Sequence, residues 1–276
     1  MPTGHEMLRA AVPVLQAAGV PEPERDARLL LQHALAVPRH RLREALDLPL
    51  PDAAEAAYRA AIAARAARQP VSQIIGRRAF WKHEFRVTRD TLDPRPETET
   101  LVAAAIEEPF GTVLDLGTGT GAILISVLAE RPGARGTGTD ISVAALEVAR
   151  ENADMSGVCA DFLRSDWFSA VVGRYDLILS NPPYIAQAEM ADLSPEVRDW
   201  EPAGALTDGA DGLSAYRAIV AGAPAHMTPG ARLMVEIGPT QGAAVSALMQ
   251  AAGLVQVTLR QDLDGRDRVV SGRKPR

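Results

Sequence analysis

Val113-Leu114-Asp115-Leu116-Gly117-Thr118-Gly119-Thr120-Gly121 reads as a strand that runs into a glycine turn and then a helix. Glycine lacks a Cβ, so such a turn lets a ligand approach the backbone closely. From Thr112 onward, strands and helices alternate. The strands fall at Thr112–Leu116, Gly136–Asp140, Asp161–Arg164, Tyr175–Ser180 and Arg232–Ile237, with helices at Gly121–Glu130, Val143–Met155 and Leu213–Ala223. A helix at Gln241–Ala252 and strands at Val255–Arg260 and Arg268–Ser271 close the pattern. This alternation predicts an α/β, Rossmann-like, doubly wound domain with a mostly parallel sheet, and seven strands with a reversed last one fit the pattern, although alternation by itself does not fix the reversal.

Asp140 ends the second strand, where an acidic side chain can bind ribose hydroxyls. A glycine turn on strand one and an acid ending strand two point together to a nucleoside cofactor. The spacing Asp-x-Gly-x-Gly-x-Gly departs from the dinucleotide pattern G-x-G-x-x-G. Asp115, two residues before the first glycine, would repel a pyrophosphate and attract a cationic ligand end. S-adenosylmethionine carries a ribose, an ammonium and a sulfonium but no phosphate, so it is favoured over NAD.

Asn181-Pro182-Pro183-Tyr184 follows the apolar strand Tyr175–Ser180 directly. The Asn side-chain oxygen and a Pro carbonyl can each accept one hydrogen of a planar NH2 group. Two prolines fix φ and aim that carbonyl, and the Tyr ring offers a flat face for stacking. The pattern fits preparation of a planar nitrogen for methylation. A surface polyproline turn is the bland alternative, and the buried strand leading into the motif argues against it.

Residues 1–76 read as a helical domain. Met7, Leu8, Ala11, Val14 and Leu15 share one face of a helix from His5 to Ala18, and Gly19 closes it. Further helices are expected at Asp26–Ala36, around Leu42–Leu46, and in an Ala-rich stretch from Asp52 to about Gln69. Phe80, Phe85 and Val87 alternate with polar residues, so 77–91 reads as a β-hairpin linker and 92–276 as the α/β domain. Charge follows the same division. Residues 1–89 hold 14 Lys/Arg against 9 Asp/Glu, a balance of +5, and the remainder holds 15 against 26, a balance of −11. The basic module is a candidate docking surface for an acidic or nucleic-acid-bearing partner.

The single Cys159 allows no internal disulfide, and no His/Cys cluster has zinc-ligand spacing, so no metal is expected. Neither a signal peptide nor a membrane span is apparent, which leads to the expectation of a cytoplasmic protein. A monomer is expected.

Taken together, Asp115–Gly121 and Asn181–Tyr184 resemble class I methyltransferases that act on planar nitrogen. Leu92-Asp93-Pro94-Arg95-Pro96-Glu97-Thr98-Glu99 narrows the resemblance to the HemK-type (PrmC) glutamine methyltransferases of peptide chain release factors. Gln69-Pro70-Val71 with Ile75-Gly76, Glu201-Pro202, Asp208-Gly209, Asp211-Gly212-Leu213 and Gly265-Arg266-Asp267-Arg268 extend it to the C-terminus. Two positions depart from the pattern: Asp93, where the family usually has an apolar residue, and Lys82, where it often has Gly.

The resemblance implies methyl transfer to the Gln of the Gly-Gly-Gln loop of class 1 release factors. It implies cofactor contacts at Gly117, Thr118, Gly119, Thr120, Gly121, Asp140, Asp166, Trp167 and Asn181, with Trp167 near the adenine and Asp166 on its amine. Asn181, Pro182, Pro183 and Tyr184 would form the catalytic and substrate-binding set. The alternative is an adenine-amine DNA or RNA methyltransferase, which shares the Asn-Pro-Pro-Tyr chemistry. The −11 balance of the catalytic half disfavours a direct nucleic-acid substrate.

Overall fold

A computed structural model describes all 276 residues, in two compact units. One comprises Met1–Arg77 with Ser194–Trp200, and the other Arg78–Leu193 with Glu201–Arg276. The chain therefore leaves the second unit at Leu193, contributes seven residues to the first, and returns at Glu201.

The first unit packs helices Gly4–Ala17, Pro23–Ala34 and Asp52–Ala66 around Leu15, Leu30, Leu31, Leu50 and Tyr58. The expected face Met7, Leu8, Ala11 and Leu15 is buried, whereas Val14 is exposed. Thr3 caps the first helix in a capping box with Glu6, a start that lies one residue before the expected one.

The inserted segment is held mainly by charge. The Glu196 carboxylate accepts from Arg65 (2.8 Å) and twice from Arg68 (2.8 and 2.7 Å), while the buried Arg65 also donates to Asp26 at 2.7 Å. Trp200 Nε1 donates to the Ala67 carbonyl. Burial raises the Glu196 pKa, but the two arginines overcome it and hold the carboxyl down at about 2. A carboxyl whose pKa is lower folded than unfolded stabilises the fold above its unfolded pKa, and the contribution disappears as pH falls toward the folded value. Glu196→Gln should therefore cost roughly 1–3 kcal/mol near neutral pH and almost nothing near pH 2. Denaturant unfolding followed by Trp200 fluorescence measures this; an equal penalty at both pH values would contradict it.

The second unit begins with a two-stranded sheet, β1 (Arg77–Phe80, whose first residue belongs to the helical unit) and β2 (His83–Arg86). At their turn Lys82 pairs with Glu130 at 2.6 Å and lies over the Trp81 ring, so this departure from the family pattern adds an ion pair. The main sheet contains β3 (Thr112–Leu116), β4 (Arg135–Asp140), β5 (Asp161–Arg164), β6 (Tyr175–Ser180), β7 (Met227–Glu236), β8 (Val255–Gln261) and β9 (Asp267–Arg273). Their order is β5-β4-β3-β6-β7-β9-β8, parallel from β5 to β7, with β9 antiparallel to both neighbours. The expected seven strands and the reversed last strand are present.

Successive strand residues face opposite sides. Val113, Leu177 and Leu179 join the core beneath helices Glu99–Ile106 and Ala122–Ala129. Leu114, Leu116 and Ile178 join Tyr216, Ile219, Val245 and Met249 on the other side. Burial on both faces explains why these strands read as continuous apolar runs. From β3 the chain moves outward to β4 and β5, then returns to β6 on the other side of β3. That reversal opens a crevice at the carboxyl ends of β3 and β6.

Candidate active site

The two motifs meet in that crevice because their strands are paired neighbours. Leu116 is in register with Ser180, and Ser180 Oγ donates to the Leu116 carbonyl at 2.7 Å. The next residue of each strand begins its loop, Gly117 on one side and Asn181 on the other. A cavity of about 540 Å³ lies there, lined by Gly117–Thr120, Asp140, Asp166, Trp167, Asn181 and Pro183, among others. Gly121, Pro182 and Tyr184 are not on its wall.

Gly117, Gly119 and Gly121 all adopt positive φ (69°, 54° and 78°), a conformation that L side chains rarely take. A Cβ on Gly121 would also lie 2.9 Å from Ile125, so this glycine packs the turn against its helix and does not face the cavity. Asp140 pins the turn: one carboxylate oxygen accepts from Gly119 N and the other from Ser142 N, each at 2.9 Å. Below the turn, Asn152 is fully buried and donates to the Thr120 carbonyl at 2.9 Å. Its oxygen accepts from Arg86 N in β2 at 2.7 Å. Sequence reading gave Asn152 no role, and its one signal is a lone amide on an otherwise apolar helix face.

Asp115 differs from expectation. Its carboxylate is fully buried, takes a 2.6 Å bond from the Thr118 hydroxyl and does not reach the cavity wall. Burial pushes its pKa up to about 7 against that bond. Asp115 therefore acts on the turn from below, and of the two acids bonded to the turn it is Asp140 that lies on the cavity wall.

Trp167 has φ 45°, and the Ser165 hydroxyl holds its backbone by donating to the Trp167 carbonyl at 2.8 Å. A Cβ on Gly117 would lie 4.0 Å from the Trp167 ring, so the indole lines the cavity beside the glycine turn. The adjacent Asp166 is exposed.

Asn181 lines the cavity, and its Nδ2 donates to Thr98 Oγ1 at 3.3 Å, so Oδ1 is the end left to accept from a ligand. Thr98 ends the Asp93–Thr98 run, which enters the cavity wall through Asp93, Pro94, Arg95 and Thr98. Arg95 is fixed by Glu201, whose two oxygens both lie 2.7 Å from one guanidinium nitrogen. Burial raises Glu201 to about 7 although Arg95 opposes it. Tyr184 is held through its backbone: its carbonyl accepts from Gln241 Nε2 at 2.9 Å, and a Cβ on Gly212 would stand 2.4 Å from that oxygen. The Tyr184 ring packs among the residues around Tyr216 and Val245, which keeps it off the cavity wall.

A seven-stranded sheet of this order, a glycine turn pinned by an acid on the neighbouring strand, and an Asn-Pro-Pro-Tyr loop one strand away point to a class I methyltransferase. Residues 87–195 match the family model "Methyltransferase small domain", and residues 6–76 match "PrmC N-terminal domain". A release factor glutamine methyltransferase of Cereibacter sphaeroides is 62% identical over 98% of this chain and 98% of its own length. One from Rhodospirillum rubrum is 45% identical, covering 94% of this chain and 82% of its own. The chain belongs to the release factor glutamine methyltransferase family. Among solved structures, a methyltransferase of Pyrococcus furiosus superposes with a TM-score of 0.55 at 16% identity, over 72% of this chain and 92% of that one. At that identity the likeness concerns the fold alone.

Proposed function

We propose that this site transfers the methyl group of S-adenosylmethionine to the side-chain amide nitrogen of the Gln in the Gly-Gly-Gln motif of class 1 release factors. The observation that carries the assignment is the pairing of β3 with β6, which sets the pinned glycine turn beside Asn181. Release factors as protein substrate follow from the family. No helix is long and apolar enough to cross a membrane.

The residues fit the methyl donor. The glycine turn offers backbone without side chains, Asp140 retains lone pairs for two hydroxyls, and the Trp167 indole supplies an apolar wall. Gly117–Thr120, Asp140, Asp166 and Trp167 would hold the donor, with Gly121 packing the turn behind them; when bound, the donor supplies an electrophilic methyl on a sulfonium. An amide nitrogen is a poor nucleophile because its lone pair is delocalised into the carbonyl, so the protein's task is alignment and electrostatics. Asn181 Oδ1 and the Pro182 carbonyl accept the two amide hydrogens and draw electron density toward nitrogen. Pro183 completes the wall beside them, and Tyr184, whose ring lies off that wall, supports the loop from behind. The excess proton leaves to water.

Labelled methyl transfer should modify a purified release factor and not DNA oligomers, with the added mass on the Gly-Gly-Gln peptide. Labelling of DNA alone would favour the adenine-amine alternative. The helical unit is assigned to docking of the protein substrate: Arg39, Arg41 and Arg43 are exposed on its surface. Reversing their charges should raise KM for the release factor about tenfold and spare cofactor affinity. An unchanged KM would remove them from the docking surface.

A further inference from the structure

Asn181 can present its oxygen to a substrate amide only if its own amide group is prevented from flipping. The two ends of a carboxamide are nearly the same shape but opposite in hydrogen-bonding sense, so only partners can select one orientation. One partner is the Thr98 hydroxyl, which accepts from Asn181 Nδ2 at 3.3 Å. A hydroxyl can accept or donate, so on its own it does not select either. The choice is made one step further away. Thr98 also lies within reach of the carboxyl of Glu236, the last residue of β7, and acts on it to lower its pKa. Because Ser180 pairs with Val235 in parallel register, the chain places Glu236 beside Asn181 at the same edge of the sheet. Thr98 and Glu236 are only 4% and 1% exposed, so water does not compete there.

We infer that Glu236 and Thr98 are positioning residues that set the orientation of the Asn181 amide. As a carboxylate, Glu236 can only accept. It takes the Thr98 proton and turns the hydroxyl lone pair toward Asn181 Nδ2, which aims Asn181 Oδ1 into the cavity. The arrangement rests on the assignment of Asn181 to the substrate amide and adds the reason that one face of Asn181 is selected. Protonation would reverse it, since a neutral Glu236 can donate to Thr98 Oγ1 and release its proton toward Asn181. Burial, reinforced by Glu97, pushes the Glu236 pKa up to about 7, against Thr98 and the positive charges of Arg268 and Arg95. Tyr184 and Tyr216, its remaining titratable neighbours, have pKa values raised by burial and stay neutral in this range. The second carboxylate oxygen, Oε2, is buried with no partner, where a carboxylic proton can reside.

The test uses four variants of the full chain with release factor and cofactor. Thr98→Val keeps shape and removes the hydroxyl; kcat should fall about 10- to 100-fold with cofactor Kd within about twofold. Thr98→Ser restores the hydroxyl and should recover most of kcat. Glu236→Gln keeps an acceptor for Thr98 but cannot titrate, so the decline of kcat below about pH 7 expected of the parent should flatten. Asn181→Ala serves as the reference. If it is inactive while Thr98→Val turns over normally, the positioning role is wrong and the site assignment stands. If Asn181→Ala is active, the site assignment itself fails. Equal impairment of Thr98→Ser and Thr98→Val, or an unchanged acid limb in Glu236→Gln, would also overturn the proposal.

Discussion

Asn181→Ala should lower kcat by about a thousandfold while leaving the Kd for S-adenosylmethionine within about threefold of the parent. Loss of one preorganised hydrogen-bond partner at a reacting group typically costs 10²–10³ in rate, about 3–4 kcal/mol. Here the acceptor is also the group that orients the nitrogen, so the upper end of that range applies. The cofactor contacts proposed for the turn, Asp140 and Trp167 lie on β3, β4 and the segment after β5, and none of them uses the Asn181 side chain as a hydrogen-bond partner. Its removal frees Thr98 Oγ1 from one bond but leaves the Thr98–Glu236 contact, so the fold should lose little. Asn181→Asp makes the contrast sharper. It retains acceptor oxygens but cannot donate to Thr98, and it adds negative charge near the position of a sulfonium. Turnover should still collapse, whereas cofactor affinity should hold or tighten. Calorimetric titration of each variant, paired with single-turnover rates, separates the two effects. If Asn181→Ala loses cofactor affinity in proportion to rate, then Asn181 is a cofactor residue and the planar-nitrogen clamp lies elsewhere.

The sheet was legible because both of its faces are buried. Val113–Leu116 and Leu177–Leu179 alternate between two cores, so their sequence is apolar throughout and bounded by turn residues. The glycine turn and the position of the Asn181–Tyr184 loop were legible for a different reason: glycine at positive φ and paired prolines are local requirements that sequence states directly. What escaped was non-local. Asn152 reaches Thr120 across 32 positions, and Asn181 reaches Thr98 across 83. Neither partner has a spacing that periodicity can detect. Asp115 was misplaced because a carboxylate before a glycine turn looks the same in sequence whether it points into the cavity or below it. Only the closure of Thr118 over it decides. The insertion of Ser194–Trp200 into the helical unit was equally hidden, because it depends on arginines more than a hundred residues away.

Asp140→Ala should weaken S-adenosylmethionine binding by about 10²–10³, the largest affinity loss expected of any single side chain in the turn. Two effects combine. Each Asp140 oxygen already accepts one backbone N–H, from Gly119 and from Ser142, at 2.9 Å. A carboxylate oxygen has a second lone-pair site, so each can also take one hydroxyl of a ribose. Hydrogen bonds to a charged group contribute about 1.5–3 kcal/mol each. Even one such ligand bond accounts for roughly tenfold to a hundredfold, and loss of the second, together with the Gly119 anchor that holds the turn in its positive-φ shape, brings the total to about 10²–10³. Asp140→Asn separates the two. Its one oxygen can keep either Gly119 N or Ser142 N, and its NH2 must face the other donor, so an intermediate loss of about 10- to 30-fold is expected. The demethylated product, S-adenosylhomocysteine, has the same ribose and should lose the same factor, which distinguishes a hydroxyl contact from attraction to the sulfonium charge. A Kd within threefold of the parent for Asp140→Ala would rule out the ribose contact. Affinity lost for the sulfonium form alone would instead assign Asp140 the role of a counter-charge.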